Sequence, residues 1–453
     1  MRAVCLVALA CGLAGCHRAA LPPRPDGAAV VIATETADDG VATTAEVEPN
    51  DTAATAQSLA VTGAAPVAIA GALVARAPGG KHDVDVYRID LPVPDAGAPP
   101  DARPADAGAQ PAAPPRSVLR AELRPAAGLA VTLDALDAAG HTLVSAVGQP
   151  GEAIAIPNLA ARPGVTLLRV RAAAPESAAA PADYRLVVRL LPFDAGAEIE
   201  PNGDAAHATD LALGGEAVGY LGWRHDQDWF RLQSGPVADG SVLSADLDPI
   251  PDVAAWLQLY GADGHKLTEV RGRKGERVTL RNVRIPAGDP LPRLDLVVRA
   301  EAGFSADARY NLRVRADLPR AGTETEPNDD PAHAQTITDG TVAGYLARGD
   351  VDVFRYASDG MALLDVEVEP PERASLRLEL TREDGALLAR AESGRHAPAR
   401  LTAQPIPGGP VLIRILPARG QVNADDPYRL TVSSRPAEPG PPAGPPRSPP
   451  GNQ

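Results

Sequence analysis

The sequence predicts an all-β protein in which one antiparallel module is repeated three times. Three observations carry this: apolar and polar residues alternate with period two, a fixed order of short words recurs three times, and Pro (47) and Gly (42) punctuate the chain throughout. Leu376, Leu378 and Leu380 alternate with Arg377, Glu379 and Thr381, and Tyr310, Leu312 and Val314 alternate with Asn311, Arg313 and Arg315. Leu364, Val366 and Val368 alternate in the same way with Asp365, Glu367 and Glu369. Such strands place one face in a core and one in water, as antiparallel sheets do. Seven or eight per copy fit a small sandwich or a barrel, and the period alone does not choose between them. Aromatic residues make up only 3% of the chain, so the cores are expected to be built from Val, Leu, Ile and Ala.

The repeat opens on Glu46-Val47-Glu48-Pro49-Asn50-Asp51, which returns as Glu198-Ile199-Glu200-Pro201-Asn202-Gly203 and as Glu324-Thr325-Glu326-Pro327-Asn328-Asp329. A glycine strand follows, with Gly71-Ala72-Leu73, Gly219-Tyr220-Leu221 and Gly344-Tyr345-Leu346. An acidic pair then leads into an aromatic strand: Asp83 and Asp85 before Tyr87, Asp226 and Asp228 before Phe230, Asp350 and Asp352 before Phe354. After a turn such as Asp263-Gly264, each copy closes on a tyrosine strand that begins at Tyr184, Tyr310 or Tyr428. These words divide the chain into modules at 45–192, 193–318 and 319–435. Residues 92–116 of the first module are Pro, Ala, Asp and Gly with almost no large apolar side chain, and read as a disordered surface insert.

All three cysteines (Cys5, Cys11, Cys16) precede the modules. The apolar run Ala3 to Leu13 behind Arg2 is too short to span a bilayer and reads as a secretory signal. It ends in Leu13-Ala14-Gly15-Cys16, which resembles the lipobox of bacterial lipoproteins. That resemblance implies cleavage before Cys16 and lipidation at Cys16, hence a membrane partner through the anchor and a cell-envelope location at the outer membrane, on its periplasmic face or at the cell surface. Residues 1–16 are then a signal peptide, 17–44 a flexible tether, and 436–453, rich in Pro and Gly, a disordered tail.

Taken in order, the words at 45–435 resemble the bacterial pre-peptidase C-terminal (PPC) domain in three tandem copies. The resemblance implies antiparallel β-sandwich domains with a jelly-roll-like fold, non-catalytic and usual companions of secreted enzymes. Relatives of that fold bind calcium near the domain's start, and the residues here carry a physical case of their own. Residues two apart on a strand share a face, so Asp350 and Asp352 point the same way, with Phe354 and Tyr356 on the face of Asp352. If the fold brings the opening word beside them, carboxylates meet that repel unless protonated or bridged by a cation, and calcium wants six to eight oxygens. The candidate Ca2+ ligands are Glu46, Glu48, Asn50, Asp51, Asp83 and Asp85 in copy one. In copy two they are Glu198, Glu200, Asn202, Asp226 and Asp228, and in copy three Glu324, Glu326, Asn328, Asp329, Asp350 and Asp352. Copy two departs from the pattern with Gly203 in place of the aspartate, and Asp204 lies one residue on. The competing reading makes the opening word a solvated turn and the acidic pair a loop cap.

No zinc, serine-hydrolase or phosphate-loop motif is present. His82 and His225 flank the acidic pair, but copy three has Gly349 there, which points to surface histidines. A net charge of −15 argues against nucleic acid as a partner. Trp223, Trp229 and Trp256 all belong to copy two and are expected in the core, between modules, or on a ligand face. The expectation is a non-catalytic lipoprotein whose calcium-supported modules serve adhesion, spacing, or binding of an extracellular protein or polysaccharide. The alternative is an accessory subunit that docks a secreted hydrolase or another envelope protein.

Overall fold

A computed structural model describes residues 40–437 apart from 64, 75–82, 92–116, 175–180, 234–237, 287–291, 395–396 and 419–422. Cys16, the tether up to residue 39, the insert at 92–116, His82 and the tail from residue 438 lie outside the described residues. Each copy is a sandwich of two sheets. In copy two the first sheet sets the glycine strand Glu216–Leu221 beside the closing strand Ser305–Asp317, then Val242–Leu247, then an edge strand Val278–Arg284. The second sheet sets the acidic strand Gln227–Gln233 beside Asp295–Ala302, then Ala254–Tyr260, then Lys266–Lys274. Counting the long strands along the chain, the orders are 1-8-3-6 and 2-7-4-5, and copies one and three repeat them. This is the double-sheet arrangement of a jelly roll, so the fold is three tandem β-sandwiches and the barrel alternative falls away.

Among the described residues the strand count exceeds the expected seven or eight: copy one has ten strands and copies two and three have nine each. Those missed are Gln57–Leu59, Thr209–Ala212 and Gln335–Ile337, which run parallel to the acidic strands, and Thr43–Ala45 in copy one. At three or four residues they are too short to show a period. Each copy has its own apolar core, led by Tyr87 and Tyr184, Phe230 and Tyr310, or Phe354 and Tyr428. Trp223 of copy two is an exception, buried in the core of copy one with Phe304 packed against the same cluster. It therefore joins two modules.

The opening word is a strap between sheets. In copy two, the Glu198 amide donates to Val218 O of its own glycine strand at 2.8 Å, and two residues on the Glu200 amide donates to Asn158 O of copy one at 3.1 Å. Ala160 N returns a bond to Glu200 O at 2.9 Å. Copy three repeats this: Glu324 N bonds Ala343 O, while Glu326 N and O bond Asn282 O and Arg284 N of copy two. The fully buried Phe354 shows how far a core depends on one aromatic. Phe354→Ala is expected to lower the stability of the third sandwich by about 3–5 kcal/mol, measured as a shifted urea transition; a shift under about 1 kcal/mol would contradict its central place.

Candidate metal centre

Every word of the repeat converges on one place in its sandwich. The first glutamate of the opening word lies against the glycine strand: Glu46 Oε1 accepts from Ala72 N at 3.0 Å, Glu198 Oε1 from Tyr220 N at 3.3 Å, and Glu324 Oε1 from Tyr345 N. A side chain at Gly71, Gly219 or Gly344 would run into that glutamate and into the hydroxyl of the closing tyrosine. This is why the strand carries glycine there. The second glutamate folds back on the asparagine amide, with Glu48, Glu200 and Glu326 Oε2 accepting from Asn50, Asn202 and Asn328 N at 2.8–2.9 Å. The Glu-Pro peptide between them is cis in all three copies. The asparagine carbonyl then accepts from the acidic strand at 3.0 Å, through Val86, Trp229 or Val353 N.

The acidic pair divides its work. Its first member lies in the turn before the strand rather than in the strand itself, which starts at Val84, Gln227 and Asp352. There Asp83, Asp226 and Asp350 Oδ2 accept from Val74, Gly222 and Ala347 N at 2.5, 2.6 and 3.0 Å. The loop-cap reading is therefore right for one oxygen of each. The second member points inward under the tyrosine: Tyr184 donates to Asp85 at 2.5 Å and Tyr310 to Asp228 at 2.6 Å. In copy three Tyr428 donates to Glu324 at 3.0 Å. The sequence marked these tyrosines only as strand openers. Their recurrence in register with the acidic words was the signal that they share a site.

Carboxylate oxygens come within 4.8 Å of one another in four groups among the described residues: Glu48, Asp83 and Asp85; Glu198, Glu200 and Asp228; Glu324, Glu326 and Asp352; and Glu326, Asp329 and Asp350. Copy two forms its group despite Gly203. Asp204 does not stand in for the missing aspartate, because it is exposed and bonds the amides of Ala206 and His207, as Asp330 does in copy three for Ala332 and His333. Asp51 joins no group, and Glu46 sits beside its group on the glycine strand. His225 occupies a left-handed turn position (φ 61°), matched by Gly349 (φ 80°) in copy three.

Burial dominates the electrostatics. It pushes Asp85 up to about 9, with Glu46 and then Asp83 and Glu48 adding repulsion and the Tyr184 hydrogen bond opposing. Burial likewise pushes Glu200 up to about 8 and Glu326 to about 9, reinforced by Asp228 and Asp352 respectively. Asp228 is pushed to about 7 by burial against the hydrogen bonds of Tyr310 and Asn202. Glu198, Asp226, Glu324, Asp350 and Asp352 are raised by burial first and then by their acidic neighbours.

Among the described residues, several buried acceptors in and beside these groups have no hydrogen-bond partner: Asp85, Asp226 and Asp228 Oδ1, Glu326 Oε1, both Asp352 oxygens, and Oδ1 of Asn50, Asn202 and Asn328. An unmade bond to a buried polar atom costs about 1–3 kcal/mol, so such atoms call for a partner. The donor set is all oxygen, without histidine or cysteine, and suits a hard cation. A cleft of about 370 Å³ reaches Glu326, Asp329 and Asp350, and one of about 250 Å³ reaches Glu200 and Asp226.

No protein-family model matches the chain, and neither does any curated protein sequence. Among solved structures, the CUB1-EGF-CUB2 region of human MASP-1/3 aligns at 10% identity over 49% of this chain and 99% of that one, with a TM-score of 0.18. A triple jelly-roll protein of an archaeal virus turret aligns at 8% identity over 80% and 82%, with a TM-score of 0.21.

Two outcomes are expected. A methyl group at Gly344 meets the Tyr428 ring and the Glu324 carboxylate, so Gly344→Ala should destabilise the third sandwich by about 1–3 kcal/mol in urea unfolding. The raised carboxyls set the pH response in chelator. Near pH 4 and below, folded and unfolded chains are both protonated at these groups; above it the unfolded chain ionises while the folded one keeps its protons until about 7 to 9. The folded state binds the extra protons, so its stability falls as pH rises through that window. Melting in chelator should occur at a higher temperature at pH 5 than at pH 9, and the reverse order would show that burial does not govern these groups.

Proposed function

We propose that this chain is a non-catalytic cell-envelope lipoprotein, anchored through Cys16, whose three PPC-like sandwiches are supported by calcium and serve adhesion, ligand binding or spacing at the cell surface. The observation that carries the calcium reading is threefold repetition of one buried, all-oxygen cluster with unpartnered acceptors. Structural turns need no such oxygens buried. In copy one Glu48, Asn50, Asp83 and Asp85 would hold the ion, in copy two Glu198, Glu200, Asn202 and Asp228, and in copy three Glu324, Glu326, Asn328 and Asp352 with Asp329 and Asp350 beside them. The ion supplies positive charge that offsets the mutual repulsion of the carboxylates, so the cluster stays ionised at neutral pH without separating the two sheets.

No helix among the described residues is long and apolar enough to cross a membrane. The outer face of the five-stranded sheet of copy two supports a binding role. There Trp229 stacks on Tyr260 with centroids 5.0 Å apart, and Arg271 and Arg299 lie 4.3 and 5.7 Å from the ring centre of Trp256. Trp, Tyr and Arg are the side chains enriched where binding energy concentrates in protein interfaces.

Calorimetric titration of the mature chain with calcium chloride, with melts in calcium and in chelator, tests the metal reading. Saturable heat is expected, and at a hundredfold excess over Kd the ion should add about 2.7 kcal/mol of stability. Asp85→Asn and Asp352→Asn should each remove binding from one copy. Absence of heat together with identical melts would falsify the calcium reading.

A further inference from the structure

The edge strands Ile154–Ala160 and Val278–Arg284 each carry an asparagine in a run that otherwise packs or faces outward. Asn158 and Asn282 are equivalent: each stands four residues after the strand's first, at an irregularity in the pairing with Ser117–Pro125 or Val242–Leu247. The corresponding residue of the third copy, four after Ala399, is Ala403, again at the irregularity. The residues preceding each strand by two are Glu152, Glu276 and Ala397. Polar residues thus occupy both positions in the two copies followed by a Glu-x-Glu-Pro-Asn word, and alanine occupies both where the Pro- and Gly-rich residues follow instead.

These positions face the next copy. Glu152 pairs with Arg224 of copy two at 3.3 Å, and Glu276 with Arg348 of copy three at 3.3 Å. Asn158 reaches into the acidic cluster of copy two: its Nδ2 donates to Glu198 O at 2.8 Å and to Glu198 Oε1. Asn158 is 4% exposed, and its Oδ1 is buried with no partner. Asn282 accepts the Glu326 amide on its carbonyl at 3.0 Å, and its own Nδ2 is buried without a partner. One side of the second cluster is therefore supplied by copy one, and at the third the preceding module holds the backbone of Glu326.

We infer that the second and third clusters are junction sites, in which a bound cation locks each sandwich to the one before it. Glu200 and Glu326 carry the argument, since their backbones are hydrogen-bonded to the neighbour's edge strand while their carboxylates sit with the aspartates of their own copy. A cation that holds those carboxylates also holds the strap, and with it the neighbour's edge. Asn158 is a positioning residue: it fixes Glu198 by backbone and carboxylate together, so cluster two takes its shape only with copy one in place. In copy one the residues that lead into the strap, Thr43–Ala45, pair with that copy's own glycine strand. The two junctions also differ. Trp223 wedges copy two into the core of copy one, whereas contacts at the second junction are polar, such as Arg284 with Thr325 at 2.9 Å and Arg281 near Asp425 at 3.8 Å. The second junction therefore leans more on the cation.

The inference rests on the calcium reading, and one experiment separates their failures. Amide hydrogen exchange of the full chain is followed by mass spectrometry in calcium chloride and in chelator, beside the calorimetric titration. Calcium should slow exchange about tenfold or more in peptides covering 154–160 and 278–284, with the larger effect at 278–284, and leave the equivalent peptide 399–406 of copy three unchanged. Asn158→Ala should abolish the effect at 154–160 and weaken one site, while Ala403→Asn should do neither. Saturable heat with equal exchange in both solutions, or equal slowing at 399–406, overturns the junction while leaving calcium binding intact. No heat at all removes both. The comparison on the unaltered chain stands even if Asn158→Ala does not fold.

Discussion

Each sandwich depends on keeping several carboxylates out of water beside one tyrosine hydroxyl. Asp85, Asp228 and Asp352 are fully buried, and a lone charged carboxylate in such a place is far less stable than in solvent. The surrounding structure answers that cost locally. Backbone amides of the glycine strand, the turn and the opening word are each aimed at a carboxylate oxygen, and the closing tyrosine supplies the inner donor. The glycine that makes room for this packing, the asparagine whose carbonyl ties the opening word to the acidic strand, and the order of strands that brings first and last together all serve the same arrangement. Copy one adds Tyr87, whose hydroxyl lies 2.5 Å from that of Tyr184 and extends the chain of donors by one.

Much of this was legible in the sequence because the chemistry fixes residue types at repeated positions. Period-two runs identified the long strands, and the recurring words identified three copies and the carboxylates that meet. What escaped has a common cause. The bond between Asn158 and Glu198 spans 40 residues, and the contact between Tyr184 and Glu46 spans 138, so neither leaves a local pattern. The short parallel strands are fixed by the neighbour they pair with and not by their own three or four residues. Trp223 reads as one more aromatic of copy two until the fold sets it against the core of copy one. In the other direction, an acidic residue, Asp204, lies one residue beyond the aspartate position that Gly203 occupies. The geometry gives Asp204 the turn-capping role of Asp330, so alignment by spacing rather than by nearest acid was the better guide.

The three clusters are variations on one frame. Copy three has the fullest set, with Asp329 and Asp350 sharing Glu326 in a second group. In copy two Glu198, Glu200 and Asp228 are all buried and Asn158 closes one side. Glu48 in copy one is only half-buried. Net charge is a poor guide to such differences, because it counts exposed carboxylates, which salt screens within about a nanometre, equally with buried ones. The useful quantity is how many oxygens are withdrawn from water at one point.

The strap between sheets has a consequence for solubility. An antiparallel sandwich ends in strands whose amides and carbonyls are open on one side, and such rims invite pairing with other molecules. In copies one and two the rim at Leu159 and Val283 is already engaged by Glu200 and Glu326 of the following module. Joining modules in this way turns a surface prone to self-association into an internal seam, so the linked sandwiches present fewer open edges to one another's copies than separate ones would.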